Sequence, residues 1–162
     1  MERKIIMATE QDRAAILDLY HAQIGREFCP WNEHYPGDGE ITYDLSRDAL
    51  YVMKDETGRI VGAISQEEDE QVDALPCWDP ELQPGGELAR VAVAPDMQNC
   101  GIAKELIRFG LDLLRERGYK SFHGLVNRLN EKAIRSYAVF GFREVGTCEM
   151  YEQSFICYEL KL

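Results

Sequence analysis

The sequence predicts an α/β (α+β) fold, a mixed sheet with helices on both faces. Three observations point there. Strand-like and helix-like periods alternate along the chain instead of segregating. The strongest helical period follows directly on a β-branched strand and a glycine-containing turn. The 162 residues, 45% hydrophobic and 29% charged, suit one compact domain over residues 1–162 and exclude a disordered or low-complexity chain.

Residues 4–8 read as a short apolar strand. Thr9, with Asp12 three residues on, has capping-box spacing. It starts a helix to about residue 23, with Ile16, Leu19 and Tyr20 as its apolar stripe. Residues 25–40, rich in proline, glycine and aromatics, read as a structured loop, and residues 41–49 as a short helix. Residues 50–54 and 60–66 form a hairpin about the turn 55–59. An acidic connection, 67–86, leads to the strand 87–94 (ELARVAVA), which Pro95 ends because it cannot donate to a ladder. From 102 to 117, Ala103, Leu106, Ile107, Gly110, Leu111 and Leu114 share one face of a 3.6-residue period, with Gly118 as C-cap. A strand at 121–126, a second amphipathic helix at 130–140 and closing strands at 142–151 and 154–160 complete the order.

Lys and Arg total 18 against 29 Asp and Glu, a net charge of −11. So negative a surface repels phosphate backbones and anionic lipid, and neither nucleic acid nor membrane is an expected partner. The five scattered cysteines contain no CxxC, and the three histidines lack ligand spacing. Free thiols in a reducing compartment are expected, with no disulfide framework and no metal. The first residues turn polar too soon for a secretory core, and no run approaches the ~18 apolar residues a span requires. A cytoplasmic protein is the expectation.

The chemistry concentrates in residues 87–117. A strand feeding a glycine turn at a helix start makes an anion site, because the first helical N–H groups have no internal partner and lie at the positive end of the macrodipole. Gly101 permits close approach of a phosphate, and Ala103 is too small to block it. Read alone, Gln98-x-x-Gly101-x-Ala103 is first of all a plain turn. It is neither a Walker loop nor a dinucleotide G-x-G-x-x-G.

The segment ARVAVAPDMQNCGIAKELIRFGLDLLRERG resembles the acyl-CoA-binding motif of the GNAT acetyltransferase superfamily: strand, V-x-P, Q-x-x-G-x-A, then a long amphipathic helix. Asn130, Ala133, Tyr137, Gly141 and Phe142 are similar to that family's N-x-x-A-x-x-x-Y…G-F signature, in the family's order. Asn99 and Cys100 stand where the family often has basic residues or glycine, and Ala103 replaces the last glycine; Lys104 and Arg108 return some positive charge.

This resemblance implies a mostly antiparallel central sheet of about six to seven strands and an N-acetyltransferase using acetyl-CoA without metal. It implies direct transfer to an amine acceptor, and a homodimer stays open. The pantetheine arm would pair with Val91, Ala92 and Val93, and the diphosphate with the N–H groups of Gln98, Asn99, Cys100, Gly101, Ile102 and Ala103. Asn130 and Tyr137, two helical turns apart, would face the cofactor, Asn130 as hydrogen-bond partner and Tyr137 as donor to the leaving thiolate. Otherwise Tyr137 is a packing residue.

Glu87 is the first candidate base for the amine, with Glu33 and His34 next; against these roles, Glu87 suits a solvated strand end and His34 an exposed loop. Trp31, Glu33, His34 and Tyr35, in the loop 28–35, would form the acceptor pocket, unless they only pack the loop down. The segment 67–87 sums to −8, which would steer a cationic acceptor or simply solvate a loop. Cys100 reads as a small loop residue. The alternatives are a non-catalytic acyl-CoA-binding or regulatory domain of the same fold and, remotely, a nucleotide-phosphate-binding α/β protein.

Overall fold

The computed structural model describes residues 2–27 and 29–162, so Phe28 of the aromatic loop lies outside the described residues. Seven strands hydrogen-bond in the order β1-β2-β3-β4-β5-β7-β6. The chain divides into two compact units, residues 1–67 with 89–110 and residues 68–88 with 111–162.

The first unit holds β1 (Arg3–Met7), α1 (Arg13–His21), α2 (Asp38–Ser46), β2 (Leu50–Asp55) and β3 (Ile60–Glu67), then the end of β4 (Gly85–Val93) and the start of α4 (Ile102–Glu116). β1 pairs antiparallel with β2, and β2 with β3. The Thr9 box forms as expected, with the Thr9 N–H donating to Asp12 Oδ2 at 2.9 Å. It opens a 3-10 turn at Glu10–Asp12 before α1 begins. Ile16, Tyr20, Ile41, Leu50, Val52, Ala63 and Ala92 form the core of this unit. In α4 the buried stripe begins at Ile102, 1% exposed, one residue before the expected Ala103.

The second unit holds α3 (Glu70–Asp73), the start of β4, the end of α4, β5 (Ser121–Asn127), α5 (Glu131–Val139), β6 (Arg143–Met150) and β7 (Gln153–Lys161). β4 runs parallel to β5 through Gly85↔Ser121 and Gly86↔Phe122. β7 lies antiparallel between β5 and β6, with a register shift between Glu144 and Gly146. The short α3 was not expected within the acidic connection.

Several carboxylates of that connection are tied into the structure. Asp69 accepts from the Gln71 and Val72 N–H groups at 3.0 and 3.4 Å, and from the Tyr151 hydroxyl at 2.7 Å. Asp79 caps a 3-10 turn through the Glu81 N–H, and Asp73 lies 2.8 Å from His123 Nε2. Short carboxylates suit Asp69 and Asp79 because they satisfy helix-start donors.

The paired glycines Gly85 and Gly86 are needed for close approach. A β-carbon at Gly85 would meet His123 Nδ1 at 2.5 Å and Ser121 Oγ at 2.9 Å. The imidazole cannot yield, being stacked on Trp78 at 4.5 Å and tied to Asp73. Gly85→Ala is therefore expected to cost about 1–3 kcal/mol of stability by overpacking, read as a lower denaturation midpoint.

Candidate active site

In the first unit, the strand-to-helix loop has the anion-binding form. Asn99 and Gly101 take φ of +60° and +80°, and nothing lies within 4 Å of the position a Gly101 β-carbon would occupy. Helical hydrogen bonding begins with the Glu105 N–H donating to Gly101 O at 3.1 Å. The amides of Ile102, Ala103 and Lys104 therefore have no acceptor within the helix. Lys104, like Cys100 and Asn99, is exposed. Gln98 braces the loop from below, its Nε2 donating to Val93 O at 3.0 Å.

The end of β4 presents alternate residues to opposite sides. The Ala94 N–H donates to Val61 O, and Ala92 O lies 3.3 Å from where a Gly62 β-carbon would stand, so the even-numbered backbone faces β3. Val91 and Val93 face the other way. The Val93 carbonyl is already engaged by Gln23 Nε2 and Gln98 Nε2, each at 3.0 Å. Of the three expected pairing residues, Ala92 is thus turned toward β3, and Val93 retains only its N–H for a further strand.

In the second unit the two expected catalytic side chains come within electrostatic reach. The Tyr137 ring packs edge-on against Phe142 at 4.6 Å, Tyr158 at 5.4 Å and Phe122 at 6.0 Å. Burial, and after it the charge of Glu87, pushes the Tyr137 phenol above its ordinary range. Glu87 is half-buried on β4. Asn130 is not on α5 as expected but is its N-cap, with Oδ1 accepting from the Ala133 N–H at 3.1 Å. Its amide nitrogen remains the group able to donate elsewhere.

The aromatic loop separates into two pairs. Glu33 and His34 are exposed and face each other at 3.5 Å. Trp31 and Tyr35 instead reach a buried polar network. Trp31 packs edge-on against Tyr20 at 5.6 Å, and the Tyr35 hydroxyl accepts from Arg90 Nη1 at 3.3 Å.

Arg90 is the residue that sequence reasoning missed. It is 6% exposed, sits in β4 at φ +51°, and donates through Nη2 to both oxygens of Asp44 at 2.9 Å and through Nη1 to Glu67 at 2.6 Å. Asp44, fully buried, also accepts from Arg47 Nη2 and Ser65 Oγ, both at 2.7 Å. Burial alone would weaken the hold of Arg90 on its proton, but Asp44 and Glu67 outweigh it and raise its pKa. Burial also pushes the neighbouring Tyr20 phenol up to about 12. The available signal was one charged residue inside the otherwise apolar ARVAVA.

Residues 15–142 match the acetyltransferase (GNAT) family. The chain belongs to that family. Among GNAT relatives, the mycothiol acetyltransferase of Propionibacterium freudenreichii subsp. shermanii is 27% identical over 124 residues, which is 70% of this chain and 37% of that protein. N-acetyltransferase 8 of Rattus norvegicus is 29% identical over 109 residues, 65% of this chain and 44% of that protein. The chain thus spans less than half the length of these curated relatives. The structure of YncA from Salmonella typhimurium, with its cofactor acetyl-CoA, has a TM-score of 0.75 at 20% identity, covering 100% of this chain and 95% of that one. It shares the GNAT fold, with its mixed, mostly antiparallel sheet. Among the described residues of this GNAT chain, no helix is long and apolar enough to cross a membrane.

Proposed function

We propose that residues 1–162 form one N-acetyltransferase domain that moves an acetyl group from acetyl-CoA directly to an amine of a small molecule or peptide in the cytoplasm. The observation that carries this reading is the loop at the start of α4, where two positive-φ residues precede three amides with no helical acceptor. In a chain of the GNAT family, that cradle fits the diphosphate of coenzyme A. Lys104 and Arg108, exposed on the first turns, add positive charge beside it. Val91, through N–H and carbonyl, and Val93, through N–H, are positioned to take the pantetheine arm as an added strand.

Bound acetyl-CoA supplies an activated thioester carbonyl and a thiol leaving group. Tyr137 serves that leaving group. A thiolate of pKa ~8.5 is less basic than a phenolate of ~10, and burial with Glu87 widens the gap, so the phenol keeps its proton and acts as a hydrogen-bond donor. Glu87, beside it, receives the proton of the attacking amine, directly or through water. An alkylammonium of pKa ~10.4 must lose that proton to become a nucleophile.

On the acceptor side, Trp31 and Tyr35 are held by Tyr20 and Arg90, while Glu33 and His34 face solvent and suit a cationic or polar acceptor. A net charge of −11 favours the approach of cationic amines.

Thermal melting tests the reading. At 100 times its Kd, acetyl-CoA is expected to add about 2.7 kcal/mol and raise the midpoint by roughly 5–10 °C. Thiol release with a panel of polyamines, amino acids, aminoglycosides and peptides is then expected to pick out an acceptor. No midpoint shift at millimolar acetyl-CoA contradicts the reading; a shift without thiol release for any amine supports an acyl-CoA-binding domain instead.

A further inference from the structure

Three thiols that acetyl transfer does not use converge in the second unit. Gly146 stands opposite Cys157, and Cys148 opposite Phe155, so these four residues share one face of the β6–β7 pair. Cys77 arrives from the acidic connection. A β-carbon built on Gly146 would lie 3.1 Å from Cys77 Cβ and 3.8 Å from Cys77 Sγ. Cys77 therefore fills the space that Gly146 leaves beside Cys157, in a cluster that also holds Val72, Trp78 and Cys148. Cys157 is fully buried, whereas Cys77 and Cys148 are half-buried and all three are free thiols. The cluster thus pairs an inner sulfur with one that solvent reaches.

We propose that Cys77 and Cys157 are a redox pair that closes to a disulfide under hydrogen peroxide. Cys77, as thiolate, attacks one peroxide oxygen; the O–O bond breaks, hydroxide leaves, and Cys77 becomes a sulfenic acid. The Cys157 sulfur then displaces that hydroxyl. Two thiols and one peroxide give one disulfide and two waters, with both thiol protons carried away in the water. Cys77 and Cys148 are equally half-buried and both sulfurs hydrogen-bond with Cys157; Cys77 takes the attacking role because it fills the space at Gly146 directly opposite Cys157, whereas Cys148 stands opposite Phe155. Burial raises the Cys77 thiol above its ordinary value, and hydrogen bonding with Cys157 offsets part of that rise. Cys148 and Glu159 beside it add to the rise, so closure is expected to speed up as pH rises and the thiolate fraction grows. The chemistry needs no acetyl-CoA and stands apart from the acetyl-transfer reading.

Peroxide treatment of the whole chain at pH 8, digestion without reductant and mass spectrometry test the pair. The expected product links the peptides containing residues 77 and 157, is two hydrogens lighter than their reduced sum, and reopens with dithiothreitol. The closed loop is expected to raise the melting midpoint by about 5 °C. Cys77→Ser, at a half-buried position, keeps the fold even if Cys157→Ala does not, and is expected to abolish both the link and the rise. Cys148→Ser is expected to retain them. Oxidation of Cys77 without any link to Cys157, a link from Cys148 to either Cys77 or Cys157 in its place, or a midpoint rise that persists in Cys77→Ser each overturns the proposal.

Discussion

Tyr137→Phe is expected to lower kcat by about 10²–10³-fold while leaving the Kd for acetyl-CoA within about twofold. The ring makes edge-on contacts with Phe122, Phe142 and Tyr158, and phenylalanine preserves all of them. Only the hydroxyl is lost. With its proton affinity raised by burial and by Glu87, the phenol remains protonated over the working pH range, and in the proposed mechanism it would donate to sulfur only as the thioester breaks. Its loss therefore falls on the transition state rather than on binding. Turnover of the variant under saturating acetyl-CoA, beside calorimetric binding, separates the two. An unchanged kcat would return Tyr137 to a packing role.

The largest stability loss is expected at Asp44. Asp44→Ala removes the acceptor of two arginines and of the Ser65 hydroxyl at a site with no solvent exposure. Arg90, its side chain 3% exposed, keeps Glu67 as its one remaining carboxylate partner among the described residues. Breaking a buried pair from one side typically costs about 3–5 kcal/mol, mostly the penalty of leaving a charge buried. A fall of the melting midpoint by about 10 °C or more should follow. Because Arg90 also holds the Tyr35 hydroxyl, any surviving activity is expected to show a raised acceptor KM with the acetyl-CoA KM little changed. A midpoint within 2 °C of the parent, measured by calorimetry, would mean that the network carries little stability.

Much of the fold was legible because local signals and tertiary structure agree. The Thr9 box, the DETGR turn, the apolar stripe of α4 and Gly118 at its end, with φ +89°, each declare an element by local chemistry. The strand-to-helix turn at residues 98–102 was legible for the same reason, since Gly101 and the helix it starts are adjacent in sequence. Two kinds of feature were not. The capping aspartates of the 67–86 connection looked like a uniform charge run, since a cap and a solvated side chain have the same composition. Arg90 was hidden because its meaning lies in partners 23 and 46 residues away and in a left-handed backbone that no arginine announces. Asn130 marks an intermediate case: its seven-residue spacing from Tyr137 suggested one helix face, yet an asparagine before a helical run is also a standard N-cap.

A crystal structure of the chain soaked with coenzyme A is the most direct measurement of the proposed site. Phosphate oxygens about 2.7–3.2 Å from the amide nitrogens of Ile102, Ala103 and Lys104 are the expected result, with the pantetheine arm against Val91. A diphosphate bound elsewhere, with those amides turned to solvent or to the protein's own side chains, would contradict it.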